Sequence, residues 1–293
     1  MSLYGPQPGF AALVDAPFAV VRAHRGPLLR VGFAAGALWG LPALPGQLLL
    51  ALGEGMAVVL PPEAAAVVLP TVQVMGGSLS ALASGFSFIA LLFGSVAVHA
   101  AARAALDGRP LTVRAAFRAA LNGRAIGLEI LRIGLYFAAY LCCGLPLLVL
   151  PIFTSSALPL VLRGDIGPWA ALKRSAWLVW RQPGRWSAIG QLVVVWHAVG
   201  FHLLALSSLS SLILGGWAAV VVLRAVSGGE VPDPATMFPG WLQALVTLLG
   251  AVGYGLSAAY PAVLFTAVSD HLDDAATGRT LAAGLDALGA PRG

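Results

Sequence analysis

The sequence predicts an all-α polytopic membrane bundle: six transmembrane helices with amphipathic interfacial helices, and both termini cytoplasmic. Three observations carry that expectation. Of 293 residues, 59% are hydrophobic and 10% are charged, with a mean hydropathy of +0.87; a soluble domain carries about 25% charged residues. The charges fall in clusters between uncharged runs at 31–53, 64–102, 133–162, 186–223 and 234–269. Basic and acidic clusters occupy alternate segments. A water-soluble fold of this size could not hide so much apolar surface. A soluble enzyme, a disordered chain and a secreted disulfide scaffold are therefore excluded. The adjacent Cys142 and Cys143 make no framework. No signal peptide is evident: residues 1–27 hold Asp15 and four prolines, without an unbroken apolar core.

The elements follow in order. Residues 1–27 form a cytoplasmic amphipathic segment, 28–269 the six-helix domain and 270–293 a cytoplasmic tail. About 20 apolar residues span the hydrocarbon core, so 31–53 makes one crossing. The run 64–102 is too long for one, at about 58 Å as a helix. It contains Pro70 and Gly76-Gly77, which place a break before a second span at 77–101. Residues 55–75 become an outer loop or a short helix on the membrane.

Orientation follows from the excess of basic residues on the cytoplasmic side. The first three basic groups are Arg22, Arg25 and Arg30; Arg103, Arg109, Arg114, Arg118 and Arg124; and Arg163, Lys173, Arg174, Arg181 and Arg185. With Arg279 and Arg292 they are assigned inside. The outer segments then hold Glu54, Glu63, Glu230 and Asp233 against Arg224. Parity demands two crossings between Arg124 and Arg163. They are a span at 126–145 and a return over 146–162, either a kinked span or a re-entrant hairpin, with Pro151 and Pro159 in it. The fifth span is 187–207 and the sixth 241–268, joined by an outer segment over 208–240.

Three amphipathic helices are expected ahead of the hairpins. In 168–182, Trp169, Leu172, Ala176, Val179 and Trp180 share a face away from Arg174 and Arg181. In 109–124, Arg114, Arg118 and Asn122 form a ridge backed by Val113, Ala116, Phe117 and Ala120. In 9–25, Phe10, Leu13, Val14 and Val21 face away from Asp15 and Arg22. An apolar, aromatic face opposite a basic one suits the interface plane. Phe10–Leu13 also aligns with Trp169–Leu172, a weak internal repeat. Gly32, Gly36 and Gly40, and Gly77, Ala81 and Gly85, are spaced for close helix approach. Both stripes are expected to pack inside the bundle, with a dimer face as the sharper alternative.

The segment 146–186 carries a recognisable pattern. A proline-broken apolar stretch (Pro146, Pro151, Pro159) leads to Arg163-Gly164-Asp165. Then come Ala171-Leu172-Lys173-Arg174-Ser175-Ala176-Trp177-Leu178 and a tryptophan-rich entry to the next span. This resembles the six-helix membrane domain appended to some bacterial glycerophosphodiester phosphodiesterases, which also occurs as stand-alone inner-membrane proteins. The resemblance implies the fold and a multi-pass place in the bacterial cytoplasmic (inner) membrane. It implies no chemistry, because that family's phosphodiesterase activity belongs to a separate soluble barrel. Ser175 matches the motif's serine, with a structural role.

Candidate polar residues are few. Glu129 and Arg132, three apart, are read as a self-neutralising pair, with transport or gating as the sharper alternative. Gln191, His197 and His202 lie in the fifth span. The two histidines point about 140° apart on a helix, which does not suit a shared metal, and hydrogen-bonded core histidines are the simpler reading. Asp270, Asp273 and Asp274 are read as a solvated acidic end to the last span. No hydrolase or phosphate-loop motif occurs, so no catalytic, cofactor or metal residue is assigned. The net charge of +5 is read as a basic face toward anionic lipid headgroups, through Arg114, Arg118, Arg124, Lys173, Arg174, Arg181 and Arg185. Nucleic acid is not an expected partner; a homo-oligomer or a protein partner is possible. The expected function is a non-enzymatic lipid- or partner-binding membrane scaffold. The alternatives are a small transporter or permease-like subunit and, third, a membrane-embedded lipid enzyme.

Overall fold

The computed structural model describes residues 10–142, 146, 149–164, 166–181, 190–201, 222–224, 226–227 and 239–277, all helices and their connections, with no strand among them. The helices are α1 (Phe10–Ala23), α2 (Arg25–Gly40), α3 (Leu44–Val59), α4 (Pro62–Leu106), α5 (Val113–Ala120) and α6 (Gly123–Leu141). They continue with α7 (Leu150–Thr154), α8 (Ala157–Arg163), α9 (Pro168–Arg181), α10 (Gly190–Phe201), α11 (Gly240–Ser257) and α12 (Ala259–Thr277). Three stretches are long and apolar enough to cross a membrane: Arg25–Val59, Pro62–Leu106 and Gly240–Asp273. Leu150–Arg163 and Gly190–Phe201 are shorter apolar helices. The expected interfacial segments all fold as helices, α1, α5 and α9. The outer segment 208–240 lies almost wholly outside the described residues.

Prolines shape these stretches without ending them. A single 3-10 turn, Leu41–Ala43, joins α2 to α3 at Pro42, where a ring cannot donate to the helix ladder. Between α11 and α12 the joint is Ala258 alone; Pro261 is the third residue of α12, and the Ala262 N–H reaches the Ala258 carbonyl at only 3.4 Å. The break expected at Pro70 and Gly76-Gly77 is absent. Helix α4 runs through all three, 45 residues or about 67 Å, and α3 reaches Val59. The outer loop assigned to 55–75 therefore shrinks to Leu60-Pro61. Gly76 is used for close approach instead: a Cβ there would meet Leu50 and the Gly46 carbonyl oxygen, the latter at 3.1 Å.

The chain forms two compact units. One comprises 29–95 and 202–257. In it, Gly32, Gly36 and Gly40 of α2 lie against Thr247, Ala251 and Gly255 of α11, as the spacing predicts. The second glycine stripe does not pack as expected. Gly77, Ala81 and Gly85 are exposed, and among the described residues nothing lies within 4 Å of a Cβ built on Gly77 or Gly85. The face of α4 that packs is rotated by one residue: Gly76, Ser80, Ala83, Ser87, Ala90 and Gly94. Their spacing alternates four and three, the period of a helix seam. Gly46 meets Ser80, Ala35 meets Gly94, and the Ser87 hydroxyl donates to the Trp39 carbonyl at 2.6 Å. Gln47 donates to Thr247 at 2.9 Å, and Glu54 accepts the Gly240 N–H at 2.7 Å.

The other unit comprises 1–28, 96–201 and 258–293. Its core joins Leu160, Leu178, Val194, Ala198, Tyr260, Leu264, Val268 and Leu272, so α8, α9, α10 and α12 share one apolar interior. Helix α1 packs on α12. The end of α4 is closed by Gly108 at φ +63°. Gly108 donates to the Ala105 carbonyl and Arg109 to the Ala104 carbonyl, the paired bonds of a left-handed helix cap. Thr112 caps α5 and Asn122 caps α6 through their side-chain oxygens.

Candidate functional site

The second unit gathers its polar side chains into three groups. The largest is ionic. The capped end of α4 sets Arg103 one helical turn from Asp107, and Asp270 and Asp273, three apart, share one face of α12. Arg163 ends α8, and Arg174 sits midway along α9. Arg103 binds Asp270 through both carboxylate oxygens, 2.6 Å to Oδ1. Arg163 lies 3.3 Å from Asp270 and 3.6 Å from Asp273. Arg174 holds Asp273 Oδ1 through Nε at 3.1 Å and Nη2 at 3.0 Å. Asp107 links Arg103 to Arg109 at 3.0 and 2.6 Å. The order Arg109, Asp107, Arg103, Asp270, Arg163, Asp273, Arg174 alternates in sign throughout. The central four side chains are only 14–21% exposed. Screening is weak there, and each charge needs its neighbours. This corrects the reading of Asp270 and Asp273 as solvated. Helix α12 continues to Thr277.

The second group lies on α6 and α7. Arg132 donates to Glu129 at 2.7 Å, and its Nη2 is 3.4 Å from the Tyr136 hydroxyl. That hydroxyl shares a hydrogen with Thr154 across 2.8 Å, and Thr154 donates on to the Leu150 carbonyl at 3.0 Å. Glu129 is buried, and among the described residues the Arg132 Nε has no hydrogen-bond partner. The expected i, i+3 pair is present, extended by Tyr136 one further turn along α6 and by the Thr154 hydroxyl of α7, which spacing along one helix could not reveal.

The third group is aromatic. His197 of α10 and Tyr260 of α12 are 2.9 Å apart, Nε2 to hydroxyl. Phe18 of α1 stacks on Tyr260 with centroids 4.1 Å apart, and Phe201 packs on the same ring at 4.7 Å. His197 thus has a core partner. His202 lies outside the described residues, so the pair of histidines is not described together. Among the described residues no three His, Cys, Asp or Glu side chains gather as a metal site. Gln191 and Ser175 are buried, and among the described residues the Gln191 Nε2 and the Ser175 hydroxyl have no hydrogen-bond partner.

The basic residues separate. Arg114 and Arg118 are exposed on α5, outside the ionic network, with Ala116 and Ala120 buried behind them; Arg124 is exposed at the start of α6. On α9 the buried face is Ala171, Leu172, Ser175, Leu178 and Val179, at offsets 0, 1, 4, 7 and 8. The expected arc of Trp169, Leu172, Ala176, Val179 and Trp180 is therefore split, with Leu172 and Val179 buried and the two tryptophans outside the buried face. They are 56% and 78% exposed, and Trp177 is exposed beside them. The Lys173 ammonium lies 5.4 Å from the Trp169 ring centroid, and the Arg174 guanidinium 4.6 Å from that of Trp177. The Arg181 side chain and Arg185 lie outside what is described. Compared with known proteins, the chain matches no family model, no curated protein and no solved structure.

Proposed function

We propose that the chain is a six-crossing protein of the bacterial cytoplasmic membrane with both termini inside. In this reading it is a non-enzymatic scaffold that holds anionic lipid headgroups or a partner protein at its cytoplasmic face. The ionic network carries the reading. In the six-span scheme Arg103 follows the second crossing, Arg163 the fourth and Asp270 the sixth, while Arg174 precedes the fifth. All four must then lie on one side of the membrane, and they meet within 3.6 Å contacts. An odd number of crossings between α5 and α8 would separate Arg163 from Arg103 by the hydrocarbon core, about 30 Å. The broken pair α7–α8 supports a kinked return, and the motif around Ser175 fits the six-helix family the sequence resembles.

Reporter fusions test the topology: fusions within 164–185 and after 277 are expected inside, and fusions at 60 and 230 outside. An external signal at 164–185 would overturn it. Gentle purification tests the role, with bound anionic phospholipid expected. A second reading, a small transporter or permease-like subunit, draws on the Glu129–Arg132–Tyr136–Thr154 chain, because ionisable groups within apolar segments mark substrate paths. A stoichiometric ATPase in the purified material would favour it.

A further inference from the structure

We infer that α9 lies flat at the headgroup level of the membrane, and that Lys173, between Trp169 and Trp177, holds the phosphate of an anionic glycerophospholipid. This rests on the membrane reading above and assigns its lipid contact to one face of one helix. At 100° per residue Trp169, Lys173, Trp177 and Trp180 fall within an arc of about 80°. All four are exposed. Trp169 and Trp180 are eleven residues apart, about 16 Å along the axis.

Tryptophan settles at the membrane–water interface, with its ring among the upper acyl carbons and its N–H toward the headgroups. A helix crossing the membrane has interfacial depth only at its ends. A row of indoles along the whole length of one face is at that depth throughout only if the axis is parallel to the surface. The opposite face, Ala171 to Val179, is buried in protein, so the indole face is the one left for lipid.

The charges select the ligand. Arg174 is engaged by Asp273. Lys173 is exposed and pairs with no carboxylate among the described residues; its contact is the Trp169 ring. An ammonium with free donors, flanked one turn away on each side by indole N–H groups, presents only donors. A phosphodiester anion presents only acceptors. Near a membrane surface one such cation favours anionic lipid by about fivefold.

The test uses the full chain in nanodiscs of equimolar phosphatidylcholine and phosphatidylglycerol, with the retained lipid read by native mass spectrometry. The wild type is expected to retain phosphatidylglycerol, Lys173→Gln to lose about fivefold of that preference, and Lys173→Arg to keep it. If instead Lys173→Gln is silent while Arg114→Gln and Arg118→Gln abolish the preference, the α9 assignment fails and the lipid-binding scaffold survives. A wild type without preference sinks both. Release of the lipid by inorganic phosphate would overturn a membrane ligand in favour of a soluble one. Orientation is read separately, by quenching with lipids labelled at shallow and deep positions in Trp169→Phe and Trp180→Phe. The two tryptophans are expected at equal depth, and a difference approaching their axial separation of about 16 Å would overturn the flat helix.

Discussion

The two compact units solve helix packing in an apolar chain by different means. In the unit of 29–95 and 202–257, helices touch through glycine, alanine and serine, and at Gly32 and Gly36 the contact is backbone against backbone. In the unit of 1–28, 96–201 and 258–293, a chain of seven alternating charges and a stack of aromatic rings supplement a leucine and valine core. Lipid is as apolar as leucine, so burying leucine between helices gains little there. Close approach and polar contact are the two remaining sources of attraction, and each unit relies mainly on one.

The largest expected effect separates close approach from mere small size. At Gly36 a Cβ would overlap the Ala251 carbonyl oxygen, and that atom is backbone, unable to swing aside. Gly36→Leu is expected to destabilise by about 3 kcal/mol, the upper range for overpacking. Gly85→Leu, on the open side of α4, should stay within about 0.5 kcal/mol. Thermal unfolding in detergent followed by size-exclusion chromatography compares them. Equal losses would mean that α2 and α11 do not pack through this stripe.

The ionic unit should respond to charge. Asp270 holds Arg103 and Arg163 together, and Asp270→Asn leaves both guanidiniums short of a carboxylate. Breaking a fully buried pair costs about 3–5 kcal/mol and an exposed one under about 1. At this partial burial we expect about 2 kcal/mol, between those limits. Arg109→Gln, at the exposed end of the network, should cost less than about 0.5 kcal/mol. High salt should narrow the Asp270 effect and leave the Gly36 effect unchanged. A salt-independent loss at Asp270 would remove the charge-based half of the comparison.

Much of this was legible in the sequence, for physical reasons that also set its limits. The apolar runs, the three amphipathic helices and the α2 glycine stripe were readable because each depends on spacing along one helix. The α4 seam was missed by one residue. Gly77, Ala81 and Gly85 look like a stripe, but the seam follows the four-three alternation from Gly76 to Gly94, a signal that was present in the sequence. Pro70 misled because a proline forfeits one helix bond, whereas ending the helix would forfeit several. The carboxylates of Asp270 and Asp273, and the hydroxyl of Thr154, were not legible as partners. Their bonds join residues brought together only by the fold. The α9 arc of Trp169, Leu172, Ala176, Val179 and Trp180 is split, with Leu172 and Val179 buried and both tryptophans exposed, because apolar character alone does not say which edge of an arc packs on protein.

The smallest expected effect asks whether the aromatic stack belongs with the ionic contacts or with packing. Tyr260 offers a ring to Phe18 and Phe201 and a hydroxyl to His197. Tyr260→Phe keeps the ring and removes one hydrogen bond, and should cost about 1 kcal/mol. Tyr260→Ala removes the ring as well and should cost about 3 kcal/mol or more, as large aromatic truncations do. If packing dominates, Phe18→Ala should lower the melting temperature more than Tyr260→Phe, because α1 loses its stacked anchor on α12. If Tyr260→Phe is the more damaging of the two, the hydroxyl–imidazole bond holds α10 to α12. The aromatic group would then count among the polar contacts that distinguish this unit from the glycine-packed one.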